Sequence, residues 1–205
     1  MPRLSPDQQA KRRERLLDAA ERCFAQSGFH AATMADIART AHVSAGAAYT
    51  YFGSKEDLIA GIAARDRARL AADFSAIAEA PDFADALEAC ARFHLIERPA
   101  HKRRLWLQLG AETGRNAAVA RGHRAVDRVV RASFRAALAR QIAAGRIAPA
   151  LPLDTLVDAL RLLGDGLFHR RAVEPAADPE ALLGAAMALV RLALVPGMRR
   201  PRRRR

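Results

Sequence analysis

Ala45, Gly46, Tyr49 and Thr50 fall one helical turn apart in two pairs, 45 with 49 and 46 with 50, so a helix through them presents all four on one face. Such a face suits duplex DNA. Ala45 and the Thr50 methyl can touch thymine methyl groups, Gly46 lets the backbone approach closely, and the Thr50 hydroxyl can serve a base or a phosphate. Tyr49 and Tyr51 carry polar tips on apolar rings; at least one hydroxyl is expected to reach phosphate, the alternative being that both rings pack internally. Thr33, Ser44 and Lys55 stand at helix starts, where unpaired amides and the helix dipole favour an anion. Capping alone would also account for Thr33 and Ser44, and the two roles are compatible. Arg39 can clamp a further phosphate or simply face solvent.

The elements that would hold these residues follow from period and punctuation. Leu16, Leu17, Ala20, Cys23 and Phe24 recur at helical spacing from about Gln8 to Ser27, and Gly28 caps the end. Thr33 caps a short second helix from Met34 to about Ala41, with Asp36 near its positive end. His42 and Val43 make a tight turn. Ser44 then caps a third helix, Ala45 to about Tyr51, which gives Ala48 and Phe52 to the core. Gly53 breaks it, and Ser54-Lys55-Glu56-Asp57 reads as a capping box ahead of Leu58, Ile59 and Ile62. A helix, a tight turn and a second helix with a small residue early in it is the geometry that sets a recognition helix in the major groove.

The segment LLDAAERCFAQSGFHAATMADIARTAHVSAGAAYTYFGSKEDLI, residues 16–59, closely resembles the N-terminal signature of the TetR family of bacterial regulators. The match includes the Ala19-Ala20 pair, Phe24, Gly28, Thr33, Ile37-Ala38, Val43-Ser44, Gly46, Tyr49, Tyr51-Phe52 and Lys55. The resemblance implies an all-α fold: an N-terminal three-helix helix-turn-helix domain, 1–57, and a larger C-terminal helical ligand-binding and dimerisation domain, 58–197. It also implies a ligand-responsive regulator, by family habit a repressor, released from a double-stranded inverted-repeat operator by a small-molecule effector. Homodimerisation through the last two helices belongs to the same pattern. Two departures stand out. His42 occupies the turn position that is usually Gly and is expected to take positive φ, while Ala45, Ala47 and Ala48 replace larger or polar residues. Hydrogen-bonded base readout is therefore expected to be sparse.

Beyond the motif, Pro81 and Pro99 punctuate helices near 58–79, 82–97 and 100–114, followed by helices at 116–144, 153–172 and 180–195. Leu156, Leu160, Leu163 and Leu167 run down one of the last two; Leu182, Leu183, Ala186, Leu189, Val190 and Ala193 run down the other. These stripes are expected to serve a dimer, with intrachain packing as the alternative. Candidates for an effector pocket are polar or aromatic residues in apolar surroundings: Phe93, His94, Trp106, Glu112, Phe134, Asp165, Phe168 and His169. Each taken alone fits a structural role as well as a ligand contact.

The net charge of +12 points to a polyanionic partner, yet its distribution weakens that inference. Residues 1–57 carry eight Lys/Arg against seven Asp/Glu, whereas the tail at 198–205 carries six arginines and no acid. That tail supports an alternative function, non-specific nucleic-acid binding with steep salt dependence. Lys11, Arg12, Arg13 and Arg15 form a smaller cluster that can lie along phosphates or remain a solvated helix face. P-loop, GxGxxG and HExxH motifs are absent, so neither catalysis nor a cofactor or metal is expected. Cys23 and Cys90 read as small buried hydrophobes in a reducing compartment. Without an apolar leader or a membrane-spanning stretch, a cytoplasmic protein with no membrane partner is expected.

Overall fold

The computed structural model describes residues 5–194, and among them the only regular structure is helical. The elements are α1 (Pro6–Ala31), α2 (Met34–Thr40), α3 (Ala45–Tyr51), α4 (Lys55–Glu79), α5 (Phe83–Arg92), a π-helical turn (Phe93–Glu97), α6 (Ala100–Glu112), α7 (Ala117–Ala143), α8 (Leu153–Val173) and α9 (Pro179–Leu194). The arginine-rich tail at 198–205 lies outside the described residues. No described helix is long and apolar enough to cross a membrane.

Local chemistry explains most boundaries. Ser5 and Gln8 form a reciprocal capping box and Pro6 occupies the first turn, so α1 starts ahead of the Gln8 boundary expected from apolar period alone. Lys11, Arg12, Arg13 and Arg15 consequently lie within a continuous helix. Its regular part stops at Gly28, where φ of 80° is open to glycine and strained for other residues. Asn116 caps α7 by accepting from Ala118 and Val119 amides, and Gly145, at φ 69°, follows its end. At the end of α4 the fully buried Gln141 donates to the carbonyls of Ala78 and Ala80, both at 3.0 Å. Arg146 donates to its Oε1 at 2.8 Å, so the buried amide has partners at both ends.

The chain divides into two compact units. The first holds the residues up to Ala68 together with Pro99–Asp127; the second holds Arg69–Arg98 and the described residues from Arg128 onward. In the first, Leu16, Leu17, Phe24, Ile37, Ala48, Phe52, Leu58 and Ile62 make the core, closed by Leu105 and Val119. In the second, Phe74, Phe83, Phe134, Leu138, Leu156, Val157, Leu183 and Val190 do the same. Phe134 lies against Phe74 and Phe83 with ring centroids 5.1 and 6.2 Å away. Bidentate Arg131–Asp158 and the Arg135–Asp154 pair tie α7 to α8, while Arg92–Glu180 and Arg191–Asp85 tie α5 to α9.

Candidate nucleic-acid interface

The turn between α2 and α3 is fixed by two backbone hydrogen bonds. His42 donates to the Arg39 carbonyl at 3.1 Å and Val43 to the Ala38 carbonyl at 3.0 Å. With His42 at φ 54°, this is a Schellman C-cap, normally closed by glycine. The positive φ expected from the sequence is present. His42→Gly should therefore raise stability slightly, by less than about 1 kcal/mol because the unfolded chain also gains freedom. His42→Val should lower it by roughly 1–3 kcal/mol, since a β-branched residue strains at positive φ. Urea unfolding of the two variants beside the parent checks both signs.

Thr33 and Asp36 form a reciprocal capping box at the start of α2. The Asp36 amide donates to Thr33 Oγ1 at 3.1 Å, and the Thr33 amide and hydroxyl donate to Asp36 Oδ2 at 3.2 and 2.6 Å. Thr33 donation, through its hydroxyl first and then its backbone, holds the Asp36 carboxyl below its ordinary value, with Arg39 adding to the effect. A depressed carboxyl stabilises the fold above its unfolded-state value of 3.8 and loses that contribution as pH falls through its folded value. The stability difference between the parent and Asp36→Asn should accordingly be present at neutral pH and fade on acidification below about 4, measured as urea midpoints across pH.

Around the turn, Ser44 accepts from the Ala47 amide at 3.2 Å and so starts α3. Ala48 and Phe52 point into the core, leaving Ala45, Gly46, Tyr49 and Thr50 exposed together on the opposite side. Tyr49 is 54% exposed, whereas Tyr51 is half-buried against the first unit's core. The two tyrosines thus have different surroundings. Thr50 donates its hydroxyl proton to the Gly46 carbonyl at 3.0 Å, so its oxygen is left chiefly as an acceptor.

Arg39 is exposed and paired with Asp36 one turn away. Lys55 is engaged within the chain, where its ammonium donates to the Phe29 and His30 carbonyls at 2.6 and 3.0 Å and lies 4.7 Å from the Phe29 ring centroid. Two of its three donors therefore staple the chain after Gly28 to the start of α4. Nothing in the sequence pattern distinguished this role from a phosphate contact.

An ionic cluster that sequence inspection missed joins α1, α4 and α6. Glu21 on α1 is 1% exposed, and its Oε2 makes ion-pair contacts with Arg65 of α4 at 2.8 Å and with Lys102 of α6. Arg65 also donates to Asp18 at 2.7 Å and Glu14 at 3.0 Å. Burial lowers the Lys102 ammonium, opposed by the nearby Asp18 and Glu14 charges. The available signal was Glu21 on the inward face of α1, beside Leu17 and Phe24. Gly61 lets α4 lie close to this face; a Cβ there would stand 2.8 Å from Leu17 and 3.0 Å from Phe52, and Phe52 ends α3.

The expected pocket residues are distributed over both units. Trp106 and Glu112 belong to the first, where Glu112 Oε2 accepts from His30 Nε2 at 3.0 Å. In the second, Phe93 and Cys90 line a cleft of about 310 Å³ with Asp73, Ala76, Ile77, Ala86 and Ala89. His94 is buried beside it. Phe134 is core, Phe168 packs on that core, and Asp165 and His169 are exposed on α8. Cys90 differs from the buried hydrophobe expected: it is half-buried, and its sulfur neighbours Asp73 and His94. Desolvation first, and Asp73 second, push its thiol up to about 12.

The apolar stripes divide between core and surface. Leu156, Leu160, Leu183, Ala186 and Val190 are buried within the second unit, because α8 and α9 pack there on α5 and α7. The face left uncovered shares Leu189 with the expected stripe and extends beyond it. It carries Leu162, 72% exposed, on α8 and Ala185, Leu189 and Leu192 on α9, the last 70% exposed.

Comparison with known proteins agrees with this geometry. The family model described as bacterial regulatory proteins, tetR family, matches residues 16–62. The HTH-type transcriptional repressor Rv1474c of Mycobacterium tuberculosis is 30% identical over 182 residues, covering 89% of this chain and 92% of that protein. Among solved structures, Salmonella enterica GusR superposes with a TM-score of 0.76 at 25% identity, covering 94% of this chain and 99% of GusR. The SmeT–triclosan complex gives a TM-score of 0.78 at 22% identity, over 92% of this chain and 93% of SmeT, a likeness of fold. Of these, Rv1474c carries the name of a transcriptional repressor. With its cap-and-turn motif inside the matched segment and a repressor aligned along most of its length, the chain belongs to the TetR family of bacterial regulatory proteins.

Proposed function

We propose that this regulator represses transcription by binding an inverted-repeat operator as a homodimer and leaves it when a small-molecule effector binds. One observation carries the proposal. The α2–turn–α3 unit buries Ala48 and Phe52 and turns Ala45, Gly46, Tyr49 and Thr50 outward on the helix that follows the turn. In a major groove this face offers methyl contacts and close backbone approach, with specificity drawn from DNA shape as much as from hydrogen bonds. Thr33, Arg39, Ser44, Tyr51 and Lys55 flank it as phosphate contacts; Lys55 brings only the donor not committed to carbonyls, and Arg39 must share its guanidinium with Asp36.

Residues 1–57 then serve DNA binding, and 58–197 serve the effector and the dimer. Pairing uses the uncovered face of α8 and α9, where Leu162, Leu189 and Leu192 find no cover among the described residues. The effector is assigned to the second unit, near Phe93 and His94. Its action requires a higher affinity for the conformation that fits DNA less well. Genomic fragments selected on the full chain should share inverted repeats and bind two chains each, with half-sites about 34–36 Å apart or a multiple of that spacing. Fragments without a shared repeat, bound by single chains, would overturn the proposal.

A further inference from the structure

Asp73 of α4, Cys90 of α5 and His94 of the π-helical turn bring a carboxylate oxygen, a thiol sulfur and an imidazole nitrogen within 4.8 Å of one another. We propose that these three side chains bind a divalent transition-metal ion, with Zn²⁺ the best match, leaving a fourth coordination position open toward the adjoining cleft. The proposal is independent of how the chain binds DNA.

The donor set selects the class of ion. Sulfur and imidazole nitrogen are poor donors for Mg²⁺ and Ca²⁺, which take oxygen, whereas Zn²⁺ accepts sulfur, nitrogen and oxygen together. Three protein ligands leave a tetrahedral site one position short, the arrangement in which water or another ligand completes the shell. Bond lengths near 2.0–2.3 Å put tetrahedral ligand atoms roughly 3.3–3.7 Å apart. The Asp73–His94 edge is 3.0 Å, so that pair needs to open slightly. The widest edge, at most 4.8 Å, must close by about 1 Å, a side-chain adjustment.

Backbone and access point the same way. Cys90 and His94 are four residues apart, and the helix widens between Phe93 and Arg98, where the Arg98 amide donates to the Phe93 carbonyl at 2.9 Å. Single π-helical turns of this kind recur at functional sites. Asp73 and Cys90 both line the cleft of about 310 Å³, which gives an ion an entry path.

Arg98 is the resident opponent of the metal. Its guanidinium lies 3.1 Å from His94 Nδ1, and a guanidinium only donates, so Nδ1 accepts and Nε2 carries the proton toward Asp73. Coordination through Nε2 requires that nitrogen's lone pair. The ring proton then resides on Nδ1, Arg98 turns away, and the Cys90 thiol proton leaves to solvent as the metal–sulfur bond forms.

The test is a Co²⁺ titration of the full chain without DNA, followed by absorption. One equivalent should give a thiolate-to-cobalt charge-transfer band with ligand-field bands of four-coordinate intensity, and Zn²⁺ should bleach both. Cys90→Ser should abolish the charge-transfer band. Cys23→Ser should keep it, because that sulfur sits in the other unit, 3.5 Å from Thr40 Oγ1. Asp73→Asn and His94→Ala, with helical circular dichroism unchanged, should weaken binding at least roughly tenfold. Arg98→Gln, whose amide oxygen can accept from Nδ1–H, should strengthen it by about tenfold. No charge-transfer band in the parent chain, or a band that survives Cys90→Ser, would overturn the proposal.

Discussion

Arg65→Ala is expected to lower the unfolding free energy by up to about 3–5 kcal/mol, because removing one partner of a buried ion pair leaves the other charge with less compensation. Here the other charge is Glu21, 1% exposed, which keeps only Lys102 once the Arg65 contact at 2.8 Å is gone. The pairs of Arg65 with Glu14 and Asp18 add little, since both carboxylates are about half exposed and solvent screens them. The cluster joins α1, α4 and α6 within the first unit, so its loss should loosen the support of the helix-turn-helix as well. A double-mutant cycle with Glu21→Gln identifies the cause. Coupling requires the double variant to fall well short of the sum of the single losses; additive losses in urea unfolding would show that Arg65 acts through packing alone.

If α8 and α9 pair as proposed, Leu189→Asp should convert the dimer to monomers. Burying one leucine contributes roughly 1.5–3 kcal/mol, and two-fold symmetry applies the loss twice, about 3–6 kcal/mol, or roughly 10²–10⁴ in the dimerisation constant. Leu189 is 57% exposed in the single chain and belongs to the face that also carries Leu162 and Leu192, so in the proposed dimer the substitution removes intersubunit rather than core packing. Operator affinity should fall with it, by up to about 10²–10⁴, as the second half-site becomes a separate binding event. Sedimentation velocity and DNA binding on the same sample check both parts. A dimer that persists in Leu189→Asp with full operator affinity would place the interface elsewhere.

Local features of the helix-turn-helix were legible because capping and turn chemistry are local. Thr33 and Ser44 cap α2 and α3, Gly28 interrupts α1, and His42 takes positive φ, each dictated by a few adjacent residues. Period alone placed the later helices within a few residues. It missed Ser5–Gln8, where the cap precedes any apolar repeat. Long-range partners were hidden: Glu21 meets Arg65 and Lys102, and Asp73 meets Cys90 and His94, across sequence gaps that no periodicity spans. The stripes on α8 and α9 show a different limit. An apolar repeat says that a face is covered, whereas Leu156 and Leu183 are covered by their own chain and Leu162 and Leu189 are left outward. Lys55 marks the same limit for polar groups, since a cation at a helix start suits a phosphate and a backbone carbonyl equally well.

The most direct test of the central claim is the affinity of Tyr49→Ala and Thr50→Ala for a selected operator and for random duplex DNA, measured by fluorescence anisotropy at one salt concentration. If α3 reads the operator, each change, present twice in a dimer, should weaken operator binding by roughly 10-fold or more and leave random DNA within about twofold. Equal losses on both DNAs, or none on either, would contradict recognition through the face of Ala45, Gly46, Tyr49 and Thr50.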